Sequence, residues 1–488
     1  MVAEVGEIVK EDKLANATGD LGRWQVFIIV ILSVPCKMSV IWMMLGIIFL
    51  APKTHFNCAE RVNSTDIYNS TCYSDCVRYE YFSEFDSTII SDFDLVCERA
   101  WLVNLTQTIF MFGVLVGSMI FGFVADRYGR RPALLIASML QLSLSLVLPF
   151  SPNFWTFTGI RFFLGTSSAG LMVISFVMVV EITGPRRREL VTSFYHIPLA
   201  LGEMVMPLFA YYLRSWKLFS IGVGVPNLLF LLYIFVVPES AKWLISMGRL
   251  DEASDVIRKI AAFNKLPTNN ALEVAQNIAK ENNRNMCNNA KQAKVSYVDL
   301  ITNRNLRLKN LFSCLSWLIL GISFYGGNQY IGQTSSNIFL SIVLAGGLQI
   351  PGMCSSGYLY KRFGRKPTVI GYYLVCSICN GLLAVPDDWY YLKLITGAVA
   401  VSSAAGAFST MYVFTTELFP TVARNMAMGA SSTTSRVGSM IAPFIAGLNQ
   451  APWIPPVVFA VAPLIAASVC FCLPETKGKK LLDSLDDE

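Results

Sequence analysis

Apolar residues run in long blocks separated by short polar turns. The blocks cover about 24–50, 101–123, 132–150, 154–180, 190–212 and 219–237, then 310–327, 337–360, 368–385, 389–416, 426–448 and 453–473. A bilayer-crossing helix needs roughly 20 mostly apolar residues. Backbone N–H and C=O groups in hydrocarbon must pair within their own segment, so the blocks predict twelve transmembrane helices in an all-α membrane protein. Two polar stretches interrupt them, 51–100 after the first helix and 238–309 between the two sets of six. The expected layout is a tail 1–23, a six-helix half 24–237 that carries loop 51–100, an insertion 238–309, a second half 310–473 and a tail 474–488. The amphipathic run 250–260 predicts short helices in the insertion, bracing the two halves from below.

Lysine and arginine gather at alternate turns. Arg127, Arg130 and Arg131 lie between helices two and three, and Arg186, Arg187 and Arg188 between four and five. Lys361, Arg362, Arg365 and Lys366 lie between eight and nine, and Arg424 between ten and eleven. All fall on one side of a twelve-helix chain, which the positive-inside rule makes the cytosol, together with both termini and the insertion. Loop 51–100 then faces outward. It holds Cys58, Cys72, Cys76 and Cys97 and sequons at Asn63 and Asn69. Four cysteines in an oxidising compartment predict two disulfides with three pairings open, and a zinc site is the weaker alternative. The sequon at Asn16 falls on the cytosolic side and is expected to stay unmodified. Nine acidic residues against four basic ones give the loop a net charge of −5, which suits either a lid that enriches cations or a plain solvated loop.

Composition closes off other classes. Of 488 residues 54% are hydrophobic and 15% charged, against about 25% charged in soluble domains. The net charge of +6 sits beside the spans rather than along one soluble face, so nucleic acid is not an expected partner. Two histidines, His55 and His196, leave no basis for a histidine metal or acid–base centre. No phosphate-binding G-x-x-x-x-G-K-[ST] loop is present. The start, with Glu4, Glu7, Lys10, Glu11, Asp12 and Lys13, is unlike a secretory signal, so the first span is expected to direct insertion. No nucleophile–base pair stands out, so neither enzymatic activity nor a cofactor is expected, and Na⁺ or H⁺ coupling stays open.

The two halves repeat. Gly122 through Pro132, with Asp126, Arg127, Gly129 and Arg130, returns as Gly357 through Pro367, with Lys361, Arg362, Gly364 and Arg365, at an offset of 235. Glu181 and Glu417 are 236 apart, as are Pro238-Glu239-Ser240 and Pro474-Glu475-Thr476. Duplicated six-helix halves are a transporter architecture with its site at the bilayer midplane. The G-x-x-x-D-R-x-G-R-R turn resembles the major facilitator superfamily. The cysteine-rich outer loop, Pro238-Glu239-Ser240, Glu417-Leu-Phe-Pro420 through Asn425 and Tyr325-Gly326-Gly327 are similar to the organic cation, anion and zwitterion solute carriers. Pro207 through Tyr212 looks most like their carnitine-type and carcinine-type branch. The chain departs from that pattern in having four rather than six loop cysteines, and Lys361 where the first repeat has Asp126.

A charge at the bilayer centre costs at least ~2.5 kcal/mol, so each needs a partner or a task. Arg436 is the arginine that the resemblance links to anion and zwitterion carriers, where strict cation carriers are acidic. It implies a substrate carboxylate held by the guanidinium fork, against an interhelical pair. Glu203 reads either as counter-charge to a substrate ammonium or as an ion partner of Lys37 or Arg436, and Lys37 as a paired structural charge. Arg161 matches the fourth-helix arginine of the superfamily, tying helix four to helix one or two or serving ion coupling. Tyr325 matches a substrate-contact position, with Trp42, Trp317 and Tyr330 as further cation–π candidates against plain packing. Gln329 and Asn328 add polar groups where helix seven is expected to break at Gly326-Gly327. Asp126, Glu181, Glu239, Glu417 and Glu475 face Arg127, Arg130, Arg186, Arg362, Arg365 and Arg424 at the cytosolic ends, an arrangement expected to close that side and open as the halves rock. Gly113 and Gly117 allow a close helix contact, sliding or static.

The leading expectation is a plasma-membrane carrier of small organic cations or zwitterions, carcinine-like or carnitine-like. Organic-anion exchange is the alternative on the same fold, and a non-transporting receptor is the second class.

Overall fold

The computed structural model describes residues 13–61, 72, 76–289, 299–334, 337–385, 387–448 and 453–478. Twelve helical segments cross it in two sets of six. Helix 1 is Arg23–Leu45 continued by Ile47–Leu50, helix 2 Trp101–Tyr128, helix 3 Arg130–Val147 and helix 4 Phe154–Ile182. Helix 5 is Ile197–Tyr212, preceded by the separate helix Pro185–Phe194, and helix 6 runs from Trp216 to Val236 through a 3-10 stretch, Val225–Leu232, that opens at Pro226. The second set is helix 7 (Arg304–Thr334), helix 8 (Ile338–Phe363), helix 9 (Arg365–Gly381), helix 10 (Tyr390–Leu418), helix 11 (Thr421–Ala446) and helix 12 (Ile454–Phe471).

Ten segments are long and apolar enough to cross a membrane among the described residues. The other two are helix 5, which is 16 residues long because Pro198 starts it afresh, and helix 11, whose first two turns and middle carry Arg424, Arg436 and a serine-threonine run. Large apolar side chains such as Phe150, Phe235 and Tyr391 stand fully outside the bundle, the surface a lipid-facing helix must present.

Helix 7 is unbroken, which corrects the expected interruption at Gly326-Gly327. Gly326 serves packing instead. A Cβ there would lie 2.4 Å from the Phe459 ring of helix 12. Gly113 and Gly117 likewise bring helix 2 against the backbone of helix 4, at Phe162 and Thr166, within one half.

Loop 51–100 forms an antiparallel hairpin, His55–Arg61 with Cys76–Phe82. Cys58–Cys76 and Cys72–Cys97 are the disulfides, one of the three open pairings. Trp216 Nε1 donates to Asp92 Oδ2 at 2.9 Å and pins the loop to helix 6. Asn63 and Asn69 lie outside the described residues. On the opposite face, Ala241–Ser246, Leu250–Phe263 and Ala271–Asn289 form the insertion as a small helical layer with its own core. Leu14 of the short helix Lys13–Thr18 packs into that core, and Asn264 Nδ2 donates to the Thr18 carbonyl at 2.7 Å.

Candidate functional site

Two sets of residues come together. The first is at the repeated basic turns. Gly129 and Gly364 take φ of +114° and +108°, where a side chain is strained. In both the space of a Cβ is filled by carboxylate, Glu239 Oε2 at 2.4 Å and Glu475 Oε2 at 2.8 Å. Glu239 accepts from the backbone N–H of Arg130 (2.9 Å) and Arg131 (3.1 Å), and Glu475 from those of Arg365 (3.0 Å) and Lys366 (3.1 Å). Each glutamate thus caps the start of a helix, where free N–H groups and the helix dipole favour an anion. Arg130 donates to Glu181 at 3.1 Å and to Asp126 at 2.9 Å, and Arg365 to Glu417 at 2.7 Å.

Each of these pairs joins residues of one half. Arg127 is exposed and has no ion pair among the described residues, and Arg362 donates to the Tyr358 hydroxyl at 3.0 Å. Arg186 is exposed and pairs with none of these acids among the described residues. Arg424 holds Nε and Nη2 buried without a partner, and Arg188 has a buried Nε in the same condition. Arg188 and Arg424 are 236 residues apart, so the repeat offset itself pointed to Arg188 rather than Arg186.

The second set lies mid-bundle. Arg436 Nη1 donates to the Tyr325 hydroxyl at 3.0 Å, and no carboxylate among the described residues pairs with the guanidinium. The arginine stays partly accessible, while Tyr325 is buried apart from its edge. Around them Trp317 meets Tyr412 at 4.7 Å, and Phe324 meets Phe408 at 5.5 Å. Tyr412 and Phe408 of helix 10 complete an aromatic wall that the helix-7 motif alone did not reveal. Asn328 donates to the Phe324 carbonyl and leaves its Oδ1 unpartnered, and Gln329 is buried with no hydrogen bond to the protein. Trp317 Nε1 donates to Thr415 at 2.9 Å and Trp42 Nε1 to the Gly202 carbonyl at 2.8 Å, so both indoles are tied into packing. Tyr330 packs on Phe459 at 5.9 Å.

The remaining intramembrane charges do not pair with one another. Glu203 accepts from Gln349 Nε2 of helix 8 at 2.7 Å and keeps Oε1 buried and unpartnered, so it is an ion partner of neither Lys37 nor Arg436. Lys37 is 1% exposed and sits 4.4 Å over the Tyr195 ring. The expected structural ion pair of Lys37 is replaced by that cation–π contact. Arg161 donates to Gln107 of helix 2 at 2.5 Å, and Gln107 donates to the Met44 carbonyl of helix 1 at 2.9 Å, the expected tie from helix 4 to helices 2 and 1.

The halves meet towards the hairpin face. Phe339 of helix 8 stacks on Phe49 of helix 1 at 5.9 Å and meets Tyr211 of helix 5 at 5.5 Å, with the Arg214 guanidinium 5.2 Å away. Thr108 of helix 2 donates to the Met440 carbonyl of helix 11 at 2.7 Å. These contacts join the two halves on the hairpin side.

The profile of the "Sugar (and other) transporter" family matches residues 43–484. The organic cation transporter protein of Drosophila melanogaster is 28% identical, covering 98% of this chain and 94% of that one. The organic cation/carnitine transporter 2 of Homo sapiens is 32% identical, over 82% of this chain and 71% of its own length. Human solute carrier family 22 member 13 is 30% identical, over 84% and 73%. Among solved structures the xylose transporter XylE from E. coli superposes with a TM-score of 0.68 at 16% identity, over 93% of this chain and 97% of its own.

Proposed function

From the premise that the chain belongs to the sugar (and other) transporter family and is a solute carrier of the organic cation/carnitine type, not an enzyme, we propose that it carries small zwitterions and organic cations across the plasma membrane by alternating access. The observation that carries the substrate class is the Arg436 guanidinium. It is partly accessible mid-bundle, held by a neutral hydroxyl and matched by no carboxylate among the described residues, which leaves its fork for a substrate carboxylate. The aromatic wall of Tyr325, Phe324 and Tyr412 suits an ammonium group beside it. Gln329 and the free Oδ1 of Asn328 offer orienting hydrogen bonds. Glu203, with its unpartnered Oε1, takes the ammonium when the contact to Gln349 opens.

In this reading the hairpin face is extracellular, Asn63 and Asn69 carry glycans, and both termini lie in the cytosol. The present state is closed outside. Rocking parts the Phe49–Phe339 contact and brings the basic turns together, Arg424 then reaching an acid of the first half such as Glu181. Uptake of a cation gains ~2.3 kcal/mol per charge per 100 mV of inside-negative potential, and Na⁺ or H⁺ coupling would add to it.

Organic-anion exchange is the second reading. Lys37, Arg161 and Arg436 outnumber Glu203, the sole carboxylate within the spans away from their ends. Uptake of labelled carnitine, a simple organic cation and a dicarboxylate at two membrane potentials decides. The proposal expects amine-bearing substrates to enter faster at negative potential, Arg436→Ala to remove only the carboxylate-bearing ones, and Glu203→Gln to weaken amine affinity. Entry of anions alone, indifferent to potential, replaces it with exchange.

A further inference from the structure

Where the halves meet on the hairpin side, a protein cation sits among aromatic rings. The Arg214 guanidinium lies 4.8 Å from the Tyr211 ring and 5.2 Å from the Phe339 ring. Both are within the reach of a cation–π contact, about 6 Å. Tyr211 ends helix 5 of the first half, and Phe339 starts helix 8 of the second. Phe85 of the outer loop also meets Phe339 at 5.9 Å. The hydrogen bonds of the guanidinium go to carbonyls, Nε to Tyr211 at 2.8 Å and Nη1 to Glu84 at 3.2 Å. No carboxylate among the described residues pairs with it.

Two further features bear on what these rings could hold. The cluster is open at its edge, since Tyr211 is exposed and Arg214 only half-buried. Its rim is acidic. The exposed Glu84 and Asp86 flank Phe85, and the Asp86 N–H donates to the Arg214 carbonyl at 3.1 Å. Carboxylates beside exposed ring faces attract a cation and orient it onto the rings. An arginine that merely packed would be served by rings of its own half. This one bridges the halves, and the bridge to Phe339 must break whenever they part.

We propose that the Phe339 and Tyr211 rings are an outer entry subsite for an organic ammonium group, and that Arg214 is a tethered cation filling it while the outside is closed. The inference rests on the amine-bearing substrate class proposed above. When the halves part, Arg214 stays with the first half and bares the Phe339 ring. An arriving ammonium takes that face beside Glu84 and Asp86. On closing, Arg214 returns to it. A short tether gives an effective concentration on the order of millimolar, so Arg214 displaces a more dilute free ammonium and sends it on towards the mid-bundle site.

The probe is labelled tetraethylammonium, which carries no carboxylate for Arg436, bound to the purified full-length protein in phosphatidylglycerol nanodiscs. Arg214→Gln keeps a donor for the carbonyls and removes the competing charge. Freeing two ring faces predicts a binding component about tenfold tighter than in wild type. Arg214→Met, whose stem still packs on the rings, gives the same readout should the glutamine variant fold poorly. Adding Phe339→Leu is expected to remove the tighter component, and adding Glu203→Gln to leave it. No tighter component in a folded Arg214 variant overturns the proposal. So does one that survives Phe339→Leu, which marks a long-range effect of the lost charge, or one that Glu203→Gln abolishes, which belongs to the mid-bundle site. Choline headgroups share the ammonium chemistry, so binding is repeated in phosphatidylcholine nanodiscs. Unchanged affinity is expected, and suppression assigns the rings to lipid and overturns the entry role. The binding assay needs no transport. A tighter component in a carrier that admits only anions would sink the substrate class while leaving the subsite.

Discussion

The two basic turns have the same skeleton and opposite deficits. In the first half Arg130 is saturated: Nε and Nη2 both donate to Glu181, and Nη1 donates to Asp126 and to the Ala125 carbonyl at 2.7 Å. Its acid is not saturated, since Glu181 Oε2 is buried without a partner. In the second half Lys361 stands in place of Asp126, and Arg365 keeps Glu417, rests on the Tyr360 ring at 5.5 Å and leaves Nε unpartnered. There the acid is the satisfied member, because Thr476 donates to Glu417 Oε2 at 2.7 Å. Ser240, at the position equivalent to Thr476, accepts from the Trp243 N–H and makes no matching donation to Glu181 Oε2. Duplication preserved the caps and let the side-chain accounts diverge. Both halves hold spare donors, Nε of Arg131 and Arg188 in the first and of Arg365 and Arg424 in the second, but among these turns only the first holds a spare buried acceptor, Glu181 Oε2, to which a donor of the second half can close.

The comparison breaks most visibly at the glycines. Gly129→Ala faces both a positive φ and a carboxylate 2.4 Å from the new Cβ, and Gly364→Ala meets the same conflict at 2.8 Å. Strain of this kind costs of order 1–3 kcal/mol per residue before the cap is lost. Both variants are expected to lower the thermal midpoint, Gly129→Ala more. Equal midpoints for wild type and both variants would remove the claim that the carboxylate fills the glycine's space. Next comes the arginine pair. Arg130→Ala removes the donors of Glu181 and Asp126 together, whereas Arg365→Ala removes those of Glu417, which Thr476 still holds. Hydrogen bonds to charged groups contribute about 1.5–3 kcal/mol, so transport is expected to fall about tenfold or more for Arg130→Ala and severalfold for Arg365→Ala. Matching losses in a turnover assay would show the halves to be energetically equivalent despite their wiring.

Why some of this was legible in the sequence is itself physical. Span length, alternate basic turns and a constant offset of 235 or 236 are one-dimensional signals, and they carried the twelve-helix layout and the place of Glu239 and Glu475. Helix 5 blurred because Pro198 divides a continuous apolar block, and the glycine pair of helix 7 looked like a break because sequence does not show Phe459 lying against it. At the centre, Arg436 and Tyr325 were separately visible and prove to be hydrogen-bonded, while Tyr412 and Phe408 arrive from helix 10 across a distance no local motif records. Glu203 and Lys37 were foreseen as charges but not as strangers to each other. Their partners, Gln349 and Tyr195, are neutral, and charge arithmetic is blind to neutral partners.

The subtlest intervention restores the missing residue. Lys361→Asp places a carboxylate four residues before Arg365, as Asp126 stands before Arg130. Asp126 is 78% exposed, so the pair it makes is worth only a few tenths of a kcal/mol after solvent screening, and the midpoint of the variant should barely move. Its consequence lies elsewhere. An Arg365 held by a second acid of its own half, beside Glu417, is withheld further from the opposite half, and the change of charge from +1 to −1 lowers the attraction between the basic turn and Glu181. If the closing contact draws on the second half's spare donors, Lys361→Asp slows outward reorientation and lowers turnover modestly at unchanged substrate affinity. The slowing should shrink as salt is raised, because the exposed charges are screened within about 8 Å at physiological ionic strength. A turnover insensitive to Lys361→Asp at low salt would mean that the two halves close without these charges, and that the asymmetry of the turns is a relic of divergence with no part in the cycle.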